Sequence, residues 1–257
     1  MKPLLFSAAL LVASAGLDSA SLAAGSYKGI NLGWLDCPNQ GEYQQVRGFA
    51  CDTNEGGGHT LVGSFVAGPG MLAVTGYAAV IDVQTSGPTL AAWWELRPSF
   101  PPGCRAGSMV HSTDFTGGPF NCFDYWQGGA AGGATAEVPV ANRTRLRSTA
   151  ALPANDSRIG PIAAGTEVYA FKLTINNAKT VGPGSCGGCG DEACITLNSI
   201  LATQVPGTPG GNFTIANPAV TNYAHWLGWS TTDPAHSCPM YSPVKDRTWG
   251  AIKAFYR

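Results

Sequence analysis

Before its C-terminal tail, no stretch of this 257-residue chain holds a 3.6-residue apolar period for more than about a dozen positions. Short apolar runs recur instead, each bounded by Gly, Pro, Asn or Asp. They cover Thr60–Ala67, Leu72–Thr85, Ala91–Leu96, Thr135–Val140, Thr144–Thr149, Val168–Asn176, Ile195–Thr203, Asn212–Ile215 and Tyr223–Trp229. The cleanest is Tyr169–Asn176, with Tyr169, Phe171, Leu173 and Ile175 on one face and Lys172, Thr174 and Asn176 on the other. A period of two with one wet face describes a strand of an antiparallel sheet. Ile195–Asn198 repeats that alternation, so the two runs are expected to pair across the cysteine-rich loop between them. About ten such strands, with no internal repeat, predict an all-β fold. The architecture expected is an antiparallel β-sandwich of jelly-roll type with disulfide-stapled loops, a barrel being the next choice. The 34 glycines and 18 prolines supply the turns, and a hydrophobic content of 44% can fill a core.

The first residues read as an export signal. Met1 and Lys2 give a basic start, Leu4 to about Leu17 is apolar, and Ser21-Leu22-Ala23 is a small-x-small cleavage site. Asp18 interrupts the apolar run well short of the roughly 20 residues a membrane span needs, and no later segment is long and apolar enough. The expected organisation is therefore a signal peptide at 1–23, one β-sandwich domain at 24–238 and a tail at 239–257. That makes the mature chain secreted, extracellular or on the cell surface. With only 12% charged residues, a formal net charge of −1 and no basic run, nucleic acid and anionic membrane surfaces are poor partners.

All eight cysteines lie downstream of that signal, so each is expected as half of a disulfide. Cys37 with Cys51, and Cys104 with Cys122, flank short polar loops and suit local bonds. Cys186, Cys189, Cys194 and Cys238 make two more bonds whose pairing the sequence leaves open. Zinc is disfavoured because the C-x2-C step at Cys186 has no matching second half, and no cofactor is called for.

Other motifs dissolve on inspection. Gly182–Gly187 spells G-x-G-x-x-G but opens no helix, and there is no G-x-S-x-G, HExxH or phosphate-loop signature. Asp52-Thr53-Asn54-Glu55-Gly56 starts like a calcium loop without its distal acid, and a turn on Asx side chains accounts for the same letters. His59, His111, His225 and His236 form no metal-binding spacing; a triad of Ser64 or Ser108 with His111 and Asp114 would have to assemble in space. The ligand-binding candidates are aromatic: Trp93, Trp94, Tyr125 and Trp126, the last two beside Phe123 and a Gly/Ala-rich loop. On a strand, one of Trp93 and Trp94 would face outward and could stack on a glycan or dock a protein. Core packing is the heavier alternative for most of these rings.

After Pro239 the chain turns basic, with Lys245, Arg247, Lys253 and Arg257 against Asp246. Thr248 can cap a short helix carrying Trp249, Ile252 and Phe255 or Tyr256 on one side. The ending Thr248-Trp249-Gly250-Ala251-Ile252-Lys253-Ala254-Phe255-Tyr256-Arg257, with Phe49–Asn54, Leu61–Phe65 and Thr174–Thr180 upstream, resembles an uncharacterised family of bacterial secreted proteins with a T-W-G-x-[IVL]-K-x-x-Y-R tail. The resemblance runs over most of the mature chain. It implies an exported bacterial protein and transfers no catalytic residues; the tail is a sorting signal or a docked helix.

The expected function is thus non-enzymatic: a secreted or cell-surface protein for binding, adhesion or extracellular assembly, partnered by a glycan, a protein surface or further copies of itself. The alternative is a secreted hydrolase acting on polysaccharide or peptide, drawing two carboxylates from Asp82, Glu95, Asp114, Asp124, Glu137 and Glu167 into one cleft.

Overall fold

The computed structural model describes residues 29–227, apart from 39, 40, 49, 57 and 100, together with Cys238. The expected signal peptide and C-terminal tail lie outside the described residues. The chain folds as an all-β sandwich of two sheets. One has the order β1 (Gly29–Trp34), β3 (His59–Val66), β8 (Glu167–Ile175), β5 (Met109–Ser112). The other runs β2 (Val46–Arg47), β11 (Tyr223–Trp226), β9 (Ala193–Gln204), β4 (Val74–Thr85), β7 (Arg143–Ala151), β6 (Ala131–Val140), with β10 (Phe213–Ile215) also on β9. The pairs are antiparallel except β2 with β11. No helix among the described residues is long and apolar enough to cross a membrane.

The alternating side chains explain the layering. Leu61, Phe65, Phe171 and Leu173 of the smaller sheet, with Tyr77, Ile81, Val83, Leu146, Ile195 and Leu197 of the larger, are buried in one core cluster. Each such side chain contributes about 1.5–3 kcal/mol by leaving water. A polar relay crosses the core fully satisfied: the Tyr77 hydroxyl bonds His111 Nε2 at 2.8 Å and Ser148 Oγ at 3.0 Å, joining β4 and β7 to β5. The outer edge of β1 is covered by the 217–221 segment, through Ile30 N–H to Asn217 O and Leu32 N–H to Thr221 O, both 2.9 Å. The Asn31 amide oxygen accepts from Val220 N–H at 2.8 Å beside them.

Three expectations about local structure are corrected. The strands that hold Tyr169–Asn176 and Ile195–Asn198 do not pair: β8 lies in one sheet and β9 in the other, and the cysteine loop crosses between them. Ala91–Leu96 is not a strand but a 3-10 turn over Ala92–Trp94, with both indoles inward. Pro98, Pro101 and Pro102 follow closely and cannot donate to a ladder, and the Trp93 N–H is taken by Gly187 O at 2.9 Å. Finally, the face of β8 is not uniform. In its register with β3, Gly63 opposes Phe171 and Ser64 opposes Tyr169, so Ala170 is skipped. Such a bulge re-aims a side chain. Phe171 packs near Tyr77 in the core, whereas Tyr169 stacks on Phe115, centroids 4.2 Å apart, and its hydroxyl donates to Asp36.

Candidate functional site

The expected local disulfides Cys37–Cys51 and Cys104–Cys122 are not the ones formed. All eight cysteines are bonded, as Cys37–Cys122, Cys51–Cys189, Cys104–Cys186 and Cys194–Cys238. Strand β2 lies between Cys37 and Cys51 and strand β5 between Cys104 and Cys122, so neither span is a simple loop, and the bonds join separate segments rather than closing each on itself. Two of them pin the 186–189 loop. Arg105, next to Cys104, completes that clasp: fully buried, it donates to the carbonyls of Ala178 (3.0 Å), Trp93 (3.3 Å) and Asn176, and lies 3.6 Å from the Trp93 ring centroid. Burial pulls its pKa down to about 10, which still leaves it charged at neutral pH.

Cys37–Cys122 marks the place where a cleft forms. Beyond β1 the chain turns at Leu35, whose φ of +72° lies in the left-handed region, and delivers Asp36. The returning segment bonds back through Gln44 N–H to Trp34 O at 3.0 Å, bringing Gly41 and Glu42 alongside. The opposite wall is the 117–121 loop after β5. Between them, on the wet face of the smaller sheet, lie Thr60 of β3 and Lys172 of β8. Together Leu35, Asp36, Gly41, Glu42, Thr60, Gly117 to Asn121 and Lys172 line a cleft of about 480 Å³.

Asp36 anchors it. Although only 4% exposed, it is well satisfied: Oδ1 accepts from Cys37 N–H at 2.7 Å and from Tyr169 O–H at 2.8 Å, and Oδ2 accepts from Asn121 Nδ2. Burial chiefly, and the Asp36 carboxylate further, push the Tyr169 hydroxyl well above its usual pKa, so it remains a donor. Lys172 Nζ donates to Gly118 O at 3.2 Å and sits 5.0 Å from the Phe115 ring centroid. Gly41, at φ +54°, has no room for a side chain: a Cβ there would stand 2.0 Å from Asn121 Nδ2 and 3.0 Å from Asp36 Oδ2. On the rim, Phe120 is 76% exposed, and Phe123 nearby along the chain is 48% exposed. Behind the staple, Glu167 accepts from Ser64 Oγ at 2.6 Å and Asn31 Nδ2 at 2.7 Å. Its carboxylate lies within 4.8 Å of both sulfurs, but a disulfide offers no thiolate, so the trio is no metal site.

The aromatic candidates are elsewhere. Trp93, Trp94 and Trp126 are 0% exposed and Tyr125 is 5%, so these rings cannot stack on a ligand at the surface. Each is held by the core. Trp93 stacks on Trp226, Trp126 donates to Tyr169 O at 2.7 Å, and the Tyr125 hydroxyl donates to Val74 O at 2.7 Å. Nor do the triad residues meet in the hydrogen bonding: Ser64 serves Glu167, His111 faces Tyr77, and Asp114 accepts from Thr116 in a turn. Most of the candidate carboxylates have structural partners. Asp82 is buried against Arg145 at 2.8 Å, Glu137 pairs Arg147 at 3.0 Å, and Asp124 accepts from Gln127 N–H at 2.9 Å. In the calcium-like loop the Asn54 amide oxygen accepts from Thr180 N–H (2.8 Å) and Val181 N–H (3.0 Å), clasping a second loop. The cleft residues Asp36, Glu42, Phe120, Asn121 and Lys172 were not among the expected site residues. The usable signal was adjacency: Asp36 precedes Cys37 and Asn121 precedes Cys122, so the bonded pair brings the two walls together. Compared with family models, curated proteins and solved structures, the chain gives no match.

Proposed function

We propose that this chain is an exported, non-enzymatic binding protein that offers the Asp36–Phe120 cleft to an extracellular ligand. One observation carries the reading: a cleft whose two walls are joined by a disulfide and by the Asn121–Asp36 hydrogen bond, with an exposed phenyl ring at its mouth. Fixed walls spare a ligand the cost of ordering them, and an exposed ring supplies area for contact. Four disulfides fit an oxidising compartment, in keeping with the signal-like N-terminus. Thermal shift of the mature protein against a library of sugars, peptides, nucleotides and divalent metals tests the reading. A ligand at 100 times its Kd adds about 2.7 kcal/mol, or roughly 5–11 °C in Tm. The shift should vanish in Asn121→Ala; a library-wide absence of shifts, or a shift indifferent to that substitution, refutes the cleft as the site.

A second reading has one specific observation behind it: two carboxylates, Asp36 and Glu42, line the same cleft. A hydrolase needs such a pair. Release of reducing ends from polysaccharides by the wild type, abolished in Glu42→Gln, would establish it in place of the binding reading.

A further inference from the structure

We infer that the ligand of this cleft is a neutral saccharide, an inference that rests on the cleft-binding reading above. The lining selects by charge first. Asp36 and Glu42 stand against one ammonium, Lys172, which already donates to Gly118 O, so a phosphate, sulfate or nucleotide meets a net negative wall. A divalent cation fares no better. Both oxygens of Asp36 are already accepting, from Cys37, Tyr169 and Asn121, which leaves Glu42 as the remaining carboxylate of the lining. A hard cation such as calcium requires six or more oxygen ligands.

An apolar ligand would desolvate Glu42 and Lys172 without offering them partners, and that is costly. A peptide bound by strand addition is read through main-chain bonds along a free strand edge. Here the floor is Thr60 on β3 and Lys172 on β8, and each of those strands is paired on both sides within its sheet, so the cleft offers no edge.

What fits is a ligand with hydroxyls that both donate and accept, and with one apolar face. Glu42 accepts and Lys172 donates; the Asn121 amide, one N–H of which is held by Asp36, offers its oxygen, and the Thr60 hydroxyl is shared with Thr174 Oγ1 at 3.2 Å. Phe120 offers its phenyl face at the rim, its ring held against Gly118, whose missing side chain leaves the Phe120 Cε2 atom only 3.0 Å from where a Cβ would stand. A pyranose has both properties: polar edges and a C–H face that lies on an aromatic ring. The volume of about 480 Å³ lies within the roughly 300–1,000 Å³ of small-molecule sites, room for a few sugar rings rather than a long chain.

The test is amide-shift titration of the 15N-labelled mature protein with neutral gluco-, manno-, galacto- and xylo-oligosaccharides. A neutral pentapeptide, inorganic phosphate and calcium chloride run in parallel. Saturable shifts at Gly41, Phe120 and Asn121 with at least one oligosaccharide are expected. Phe120→Ala, a change at an exposed side chain that leaves Tm unaltered, should weaken that binding at least about tenfold. Hydrolysis of the bound sugar would still support the ligand class while replacing binding by catalysis. Shifts at the same residues with peptide, phosphate or calcium, and none with sugars, overturn the saccharide and leave the cleft standing. No shifts with any probe overturn both.

Discussion

Removing Cys37–Cys122 by the double change Cys37→Ala/Cys122→Ala tests the disulfide network and the cleft together. Taken alone, the bond closes a loop of 85 residues, worth about 4.6 kcal/mol in the loop-entropy model. The other bonds shorten that loop. From Cys37 the chain reaches Cys51 in 14 residues, crosses to Cys189, returns three residues to Cys186, crosses to Cys104 and reaches Cys122 in 18 more. The unfolded chain that keeps those bonds therefore closes a ring of about 35 residues, which lowers the expected loss to about 4 kcal/mol. In a domain of this size that is a fall in Tm of about 8–16 °C. Calorimetry under non-reducing conditions measures it, and amide shifts at Gly41 and Asn121 report whether the walls separate. A variant within about 1 kcal/mol of the parent would refute the argument. So would peptide mapping that finds Cys37 joined to Cys51.

Further outcomes follow from single side chains. Gly41→Ala should cost about 1–3 kcal/mol, because the residue sits at φ +54° and the new Cβ collides with Asn121, with lost amide resonances of the Asn121 side chain as the readout. Arg105→Met strips donors from three carbonyls and should lower the urea-unfolding free energy by about 3 kcal/mol or more; a loss below about 1 kcal/mol would show that water replaces the guanidinium. Burial, and then the Arg47 cation, hold His59 down to about 4, so the native state keeps it neutral while the unfolded chain protonates below about 6.5. Its contribution is therefore complete above about pH 6.5 and lost as pH falls toward about 4, and His59→Gln should flatten the urea midpoint across that window relative to the parent.

The layers of this fold were legible because alternation is a local property. The Lys172/Thr174 face of β8, the runs that became β3, β4, β7 and β9, and the turns between them all read directly from the order of residues. What failed was long-range. Nothing local distinguishes a loop that returns to its own sheet from one that crosses, so β8 and β9 were expected to pair. For the same reason local spacing favours Cys37 with Cys51, whereas the partner in the fold lies 85 positions away. β1 and β5 were not anticipated, because Gly29 and Gly33 dilute the pattern of one and the other is only four residues long. The candidate cleft is hidden for a related reason. Ring size favours tryptophan as a binding aromatic, yet large rings are the residues a core can use best, while the exposed aromatic at the cleft is a phenylalanine in a Gly-Gly-Pro-Phe turn.

Four indoles, Trp34, Trp93, Trp94 and Trp226, stand within 4.9–5.9 Å of a neighbour, and they come from β1 in one sheet, β11 in the other and the turn between β4 and β5. Chromophores so close share their excited states, and the coupling of Trp34 on one layer to Trp226 on the other exists only while both layers are docked. The molecule thus carries an optical gauge of its own assembly: a near-ultraviolet dichroic signature that disappears when the layers part, even if each keeps its hydrogen-bonded backbone.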